Sequence, residues 1–145
     1  MKNVVRKKVL YLSNWYVFLL LCDIVCSKEG DDMLNSILEF RKGILFVRLE
    51  GILNKETVSN LNEVIDLIKE NDISNVVLNL EKLESIDMKG INTLLYVYEL
   101  CKNKNGKSLL CGINSNVEKR IKQSHILRYI PETKSELKAF DIIHI

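Results

Sequence analysis

The segment Val76-Val77-Leu78-Asn79-Leu80 constrains the fold most. It is apolar throughout except for Asn79, and too short to be a buried helix. A run of this kind suits a central strand covered on both faces. Strands covered on both faces sit in sheets whose connections are helices, and the next apolar pattern along the chain is helical. Ile91, Leu94, Leu95, Val97, Tyr98 and Leu100 recur at the three- and four-residue spacing of a helix face. Asp87 is placed to cap that helix, and Asn105-Gly106 is placed to stop it. Glu81 to Ile86 are read as the loop between strand and helix.

The flanking segments extend the same alternation. Leu34 to Phe40 and Ile44 to Glu50 are apolar runs around Arg41-Lys42-Gly43, which predicts a hairpin. Gly51 to Asn54 lead into a helix capped by Asn54, with Thr57 as a weaker cap. Its buried face is Leu61, Val64, Ile65 and Ile68, and Asn71-Asp72 end it. Ser108 to Ile113 form the next strand. Asn114 or Ser115 caps a short helix over Val117 to Gln123. Ile126 to Ile130 read as a last short strand before Pro131. Thr133-Lys134-Ser135-Glu136 reads as a capping box for a final helix over Ser135 to Ile142. The fold class is therefore α/β: a mixed sheet of four to five strands with helices packed on it and an opening β-hairpin.

The first thirty-two residues read differently from the domain over 33–145. Lys2, Arg6, Lys7 and Lys8 precede an apolar stretch over residues 9–26. That stretch is about long enough for a bilayer, which needs about 20 residues, although Ser13, Asn14 and Asp23 weaken it. A basic flank of this kind would hold the N-terminus inside. No small-x-small cleavage site comes after it. Codons for Lys28 to Asp32 can also contain a ribosome-binding sequence just ahead of Met33. A misassigned start at Met33, a membrane anchor and a packed helix all stay open for this leader.

Composition excludes several functions. The net charge of +2 gives no electrostatic case for direct nucleic-acid binding. Of the four cysteines, Cys101 and Cys111 fall among apolar neighbours and are expected as buried free thiols, which suits a reducing cytoplasm. Cys22 and Cys26 have no second ligand pair, so no metal site is expected. His125 and His144 are the only histidines, and no Ser–His–Asp set or Gly-rich phosphate loop can be placed. Neither an enzyme nor a cofactor is expected.

The pieces Leu45 to Gly51, Gly51-x-Leu53-x-x-x-Thr57, Ile73 to Leu80, Ile86-Asp87-x-x-Gly90-Ile91 and Val117 to Ile121 succeed one another in a particular order. In that order and spacing the chain resembles the STAS domain of bacterial anti-sigma factor antagonists. The resemblance runs from about Leu34 to the C-terminus. It implies a non-enzymatic module that binds a kinase-like anti-sigma factor and so regulates sigma-dependent transcription. In that family the kinase phosphorylates a Ser directly after the Asp of an Asp-Ser-Ser-Gly turn, and the modified antagonist lets go.

Carried over residue by residue, Asp87 and Gly90 match that turn. Met88 stands at the phosphoacceptor position and Lys89 at the second Ser. Neither side chain can form a Ser-type phosphate ester. Asn54 stands where an acidic residue is usual. The expected binding surface is Asn54, Thr57, Asp87, Met88, Lys89 and Gly90, without the usual phospho-switch. Ser85 and Thr93 are the nearby hydroxyls that could substitute as acceptors. The alternative is a STAS scaffold that assembles with other STAS proteins or as a homo-oligomer, membrane-tethered if residues 9–26 form an anchor.

Overall fold

The computed structural model describes residues 7–11 and 33–144. Six strands form one sheet in the order of the chain: β1 (Lys7–Tyr11), β2 (Leu34–Arg41), β3 (Ile44–Leu53), β4 (Asn75–Ile86), β5 (Ser108–Cys111) and β6 (Glu132–Thr133). Only β2 and β3 pair antiparallel. Five of the strands come from residue 34 onward, and Lys7–Tyr11 adds a sixth at the edge. The helices are α1 (Asn62–Glu70), α2 (Met88–Asn103), α3 (Ser115–Ser124) and α4 (Glu136–Ile143). The remainder of the leader, with Cys22 and Cys26, lies outside the described residues. Among the described residues no helix is long and apolar enough to cross a membrane.

The hairpin forms around Lys42 and Gly43, both with positive φ (50° and 82°), and Arg41 pairs with Ile44. That is the two-residue turn whose twist matches the strands it joins, and Gly43 enters it without the cost a Cβ would bring. Strand β4 lies between β3 and β5 and is covered on both faces. Val76, Leu78 and Leu80 join Val64, Ile68, Ile91, Leu94, Val117 and Ile121 in the main core under α1, α2 and α3. Val77 joins Ile44, Phe46, Leu109, Cys111 and Ala139 under α4. Cys101 in α2 and Cys111 in β5 are buried free thiols, and burial raises both above the ordinary thiol range.

Four local expectations are corrected. Glu81 to Ile86 are not a loop: they continue β4 and pair with β3 as far as Leu53–Ile86. Ile126 to Ile130 are not a strand. Left-handed His125 (φ 61°) starts a 3-10 turn, with Tyr129 and Ile130 donating backbone N–H to Ile126 O. Both Ile126 and Ile130 are buried through turn spacing rather than strand alternation. The third correction concerns the cap of α4, which is Ser135, accepting from Lys138 N at 3.2 Å, while Thr133 lies in β6. Lastly, Asn54 does not cap α1. It caps a tight turn, which passes into a 3-10 segment over Val58–Leu61, and the α-helix starts at Asn62.

Glu136 is engaged elsewhere than in a capping box. Arg48 Nε donates to its Oε2 at 2.8 Å and another guanidinium nitrogen to Oε1 at 2.7 Å. Asn79 Nδ2 also donates to Oε2, at 2.7 Å, so the one polar residue of the apolar run Val76 to Leu80 is satisfied through α4. Glu39 accepts from Arg48 at 2.8 Å. The Arg48 hydrogen bond holds the Glu136 carboxyl below the ordinary Glu range against the opposing effect of burial.

A carboxyl depressed in the folded state contributes stability above its unfolded pKa and loses it as the pH falls through the folded value. Glu136→Gln should therefore lower the melting temperature at neutral pH. The gap to the wild type should hold from about pH 7 down to the ordinary Glu range at about 4.3, and narrow below it as the pH falls through the folded value. Melting curves across that range check this, and a pH-independent gap would contradict the ionic origin of the contact.

Candidate partner-binding site

Two register shifts in the β3–β4 ladder, at Arg48/Glu50 and Gly51/Ile52, carry the paired strands out to Leu53 and Ile86. The two chains then leave the sheet side by side. Leu53 leads into the Asn54 turn, and Ile86 leads into Asp87 and α2. The residues expected to form a binding surface are thereby brought to one end of the sheet, although they come from separate segments.

Hydrogen bonds tie the two segments together. Asp87 N donates to Leu53 O at 3.1 Å. The Asp87 carboxylate accepts from Gly90 N at 2.8 Å through Oδ1 and from Lys55 N at 3.1 Å through Oδ2. One oxygen thus caps α2 and the other holds the neighbouring turn, so Asp87 does more than the cap it was expected to be. Within the turn, Asn54 Oδ1 accepts from Glu56 N (2.8 Å) and Thr57 N (3.1 Å). The Thr57 hydroxyl is fully buried; it donates to Ile52 O at 2.7 Å and accepts from Asn54 N at 2.9 Å. Thr57 is therefore an internal brace of the turn, and the exposed part of this surface comes from other residues.

Gly90 lets the two segments approach. A Cβ there would lie 2.8 Å from Leu53 O, Leu53 Cγ and Ile86 Cγ1. Met88 and Lys89, by contrast, face solvent at the start of α2, and Met88 is 50% exposed. Thr93 is half-buried, and its hydroxyl donates to Lys89 O at 2.9 Å, one turn inside the helix. Ser85 is exposed in β4, paired with Ile52. Neither hydroxyl occupies the first position of α2, which belongs to Met88.

Beside the turn, a groove of about 640 Å³ runs between α1 and the first turns of α2. Its walls include Val58, Ile65, Lys69, Lys89, Thr93 and Tyr96. Lys69 Nζ lies 5.4 Å from the Tyr96 ring centroid. Sequence reasoning did not single out Lys69 or Tyr96. The signal for them was spacing: Lys89, Thr93 and Tyr96 fall on one helix face, as do Ile65 and Lys69 on the other helix. A separate recess of about 510 Å³ beside α4 is lined by Arg48, Asn79 and Glu136, whose polar groups already bond to one another. Among the described residues no group of His, Cys, Asp or Glu could hold a metal ion.

The STAS domain family model matches residues 35–139, most of the chain. This protein belongs to the STAS domain family. The anti-sigma F factor antagonist of Paenibacillus polymyxa is 27% identical to this STAS chain over 109 residues, covering 74% of it and 93% of that protein. An anti-sigma factor antagonist from Mycobacterium paratuberculosis shares the fold with a TM-score of 0.72 at 16% identity, over 81% of this chain and all (100%) of that one. The Bacillus cell fate determinant SpoIIAA, in its phosphorylated form, shares it with a TM-score of 0.59 at 19% identity, over 74% and 98% of the two chains.

Proposed function

We propose that this STAS protein is a non-enzymatic anti-sigma factor antagonist. It binds a kinase-like anti-sigma factor in the cytoplasm through the Asn54 turn and the start of α2, and no Ser phosphorylation switches it off. The observation that carries this reading is the Asp87 clamp. Asp87 and Gly90 lock the turn and the helix start into one rigid surface, and an exposed Met88 stands where the family turn has its acceptor Ser.

The family relatives named as anti-sigma factor antagonists support the partner class. The physics supports the absent switch. A phosphate adds about −1.5 to −2 charge at neutral pH and would break a contact formed around a neutral side chain. A thioether or an ammonium group cannot take up that phosphate as an ester.

The test is to mix the purified chain with each kinase-like anti-sigma factor of its own genome, with radiolabelled ATP. The expected result is a stable complex with one of them that persists in ATP and leaves this chain unlabelled. Label on the α2 segment, or no complex with any of them, would overturn the reading.

A further inference from the structure

Two neighbouring residues at the start of α2 break local rules with no structural return. Lys89 places a cation at the positive end of a helix dipole, where an acidic residue is favoured. It makes no ion pair among the described residues to offset this. Met88 exposes half of a large apolar side chain. Lys89 lines the α1–α2 groove, directly after Met88 in the chain, and Tyr96 in that groove is 42% exposed. The groove carries two lysines, Lys69 and Lys89, against one aspartate, Asp66. Lys69 is held over the Tyr96 ring. The surface is thus cationic with an apolar floor, and rule-breaking residues of this kind are expected at functional sites.

We propose that the α1–α2 groove receives an acidic, amphipathic segment of the anti-sigma factor. A partner carboxylate pairs with Lys89, with Lys69 adding to the attraction, while partner apolar side chains cover Met88 and Tyr96. This rests on the antagonist reading and adds the chemistry of the partner. The position that carries a neutral hydroxyl in the family turn carries here a permanent positive charge, so recognition is by opposite charge.

The experiment is a titration of the anti-sigma factor that binds the wild type, at low and high salt, with three variants. Lys89→Glu should raise Kd by about tenfold or more and flatten its salt dependence, because like charges then face each other. Combining it with Lys69→Glu should weaken binding further. Lys138→Glu, on exposed α4 away from the groove, should bind as the wild type does. Loss of fold is separable, since Glu at a helix start is favourable and the melting temperature of Lys89→Glu should not fall. If the wild type binds and Lys89→Glu binds equally well, this proposal fails and the antagonist reading stands. If the wild type binds no anti-sigma factor, both fail.

Discussion

Gly90→Ala should destabilise the domain by about 2 kcal/mol, despite exchanging glycine for the best helix former. In an exposed helix interior the exchange would gain about 1 kcal/mol. Here the added methyl meets Leu53 O, Leu53 Cγ and Ile86 Cγ1, each at 2.8 Å. The two side-chain atoms could give way by rotation, but the carbonyl is backbone in the last pair of a β-ladder and accepts the Asp87 N–H. Relief therefore requires α2 to move away from the Asn54 turn. That movement strains the bonds from Asp87 to Leu53 and Lys55, so loss of stability and distortion of the candidate surface come together. A fall in melting temperature of roughly 5–10 °C is expected for a domain of this size. Calorimetry checks it, and an unchanged or raised transition would mean that helix propensity outweighs the close approach. Amide exchange at Lys55 supplies a second readout, because its N–H is held by Asp87 across the two segments.

How much could be read from the sequence depends on the range of each interaction. The capping contacts of Asp87 and Asn114 and the Lys42-Gly43 turn act on backbone within three residues of themselves, and each is where it was expected. Val76 to Leu80 state their own burial. By contrast, Glu81, Lys82, Glu84 and Ser85 are polar and exposed, and nothing local marks them as strand. They are extended because β3 continues beside them past two register shifts, a fact about residues about thirty positions away. Ile126 and Ile130 are apolar at a spacing open to either strand or turn, and the left-handed His125 decides between them. Glu136 matched a capping motif in one dimension, but in three it faces Arg48, eighty-eight residues away, on a partly buried sheet face. The geometry of the candidate turn was legible at Asp87 and Gly90, while the groove was not. Its walls join α1 to α2, and only the packing of the two helices brings Lys69 and Lys89 into one cleft.

On the antagonist reading proposed above, Met88→Ser should turn this chain from a non-substrate into a substrate of a kinase-like anti-sigma factor. Met88 is the first residue of α2, directly after the cap, and is half exposed. A serine placed there presents its hydroxyl on a rigid turn held by Asp87 and Gly90. The fold should tolerate the change with a cost of no more than about 0.5–1 kcal/mol, since no fully buried side chain is removed. In the reaction, the Ser Oγ attacks the γ-phosphorus of ATP, its proton passes to a base of the kinase, and ADP leaves. The resulting phosphate lies at a helix N-terminus, where free N–H groups and the dipole favour an anion, and beside the ammonium of Lys89. With wild-type protein, ATP and the anti-sigma factor, no label is expected. With Met88→Ser, incorporation should approach about one phosphate per chain, and the added charge of about −2 should weaken the complex by about tenfold or more. Met88→Ser combined with Lys89→Ser, measured both unphosphorylated and phosphorylated, separates the effect of the phosphate from loss of the Lys89 contact. It restores the family turn and removes the neighbouring cation, so its phosphorylated form should dissociate more completely than that of the single variant. If Met88→Ser binds the kinase but takes up no label, the turn does not present residue 88 to the kinase, and the missing hydroxyl is not what disables the switch.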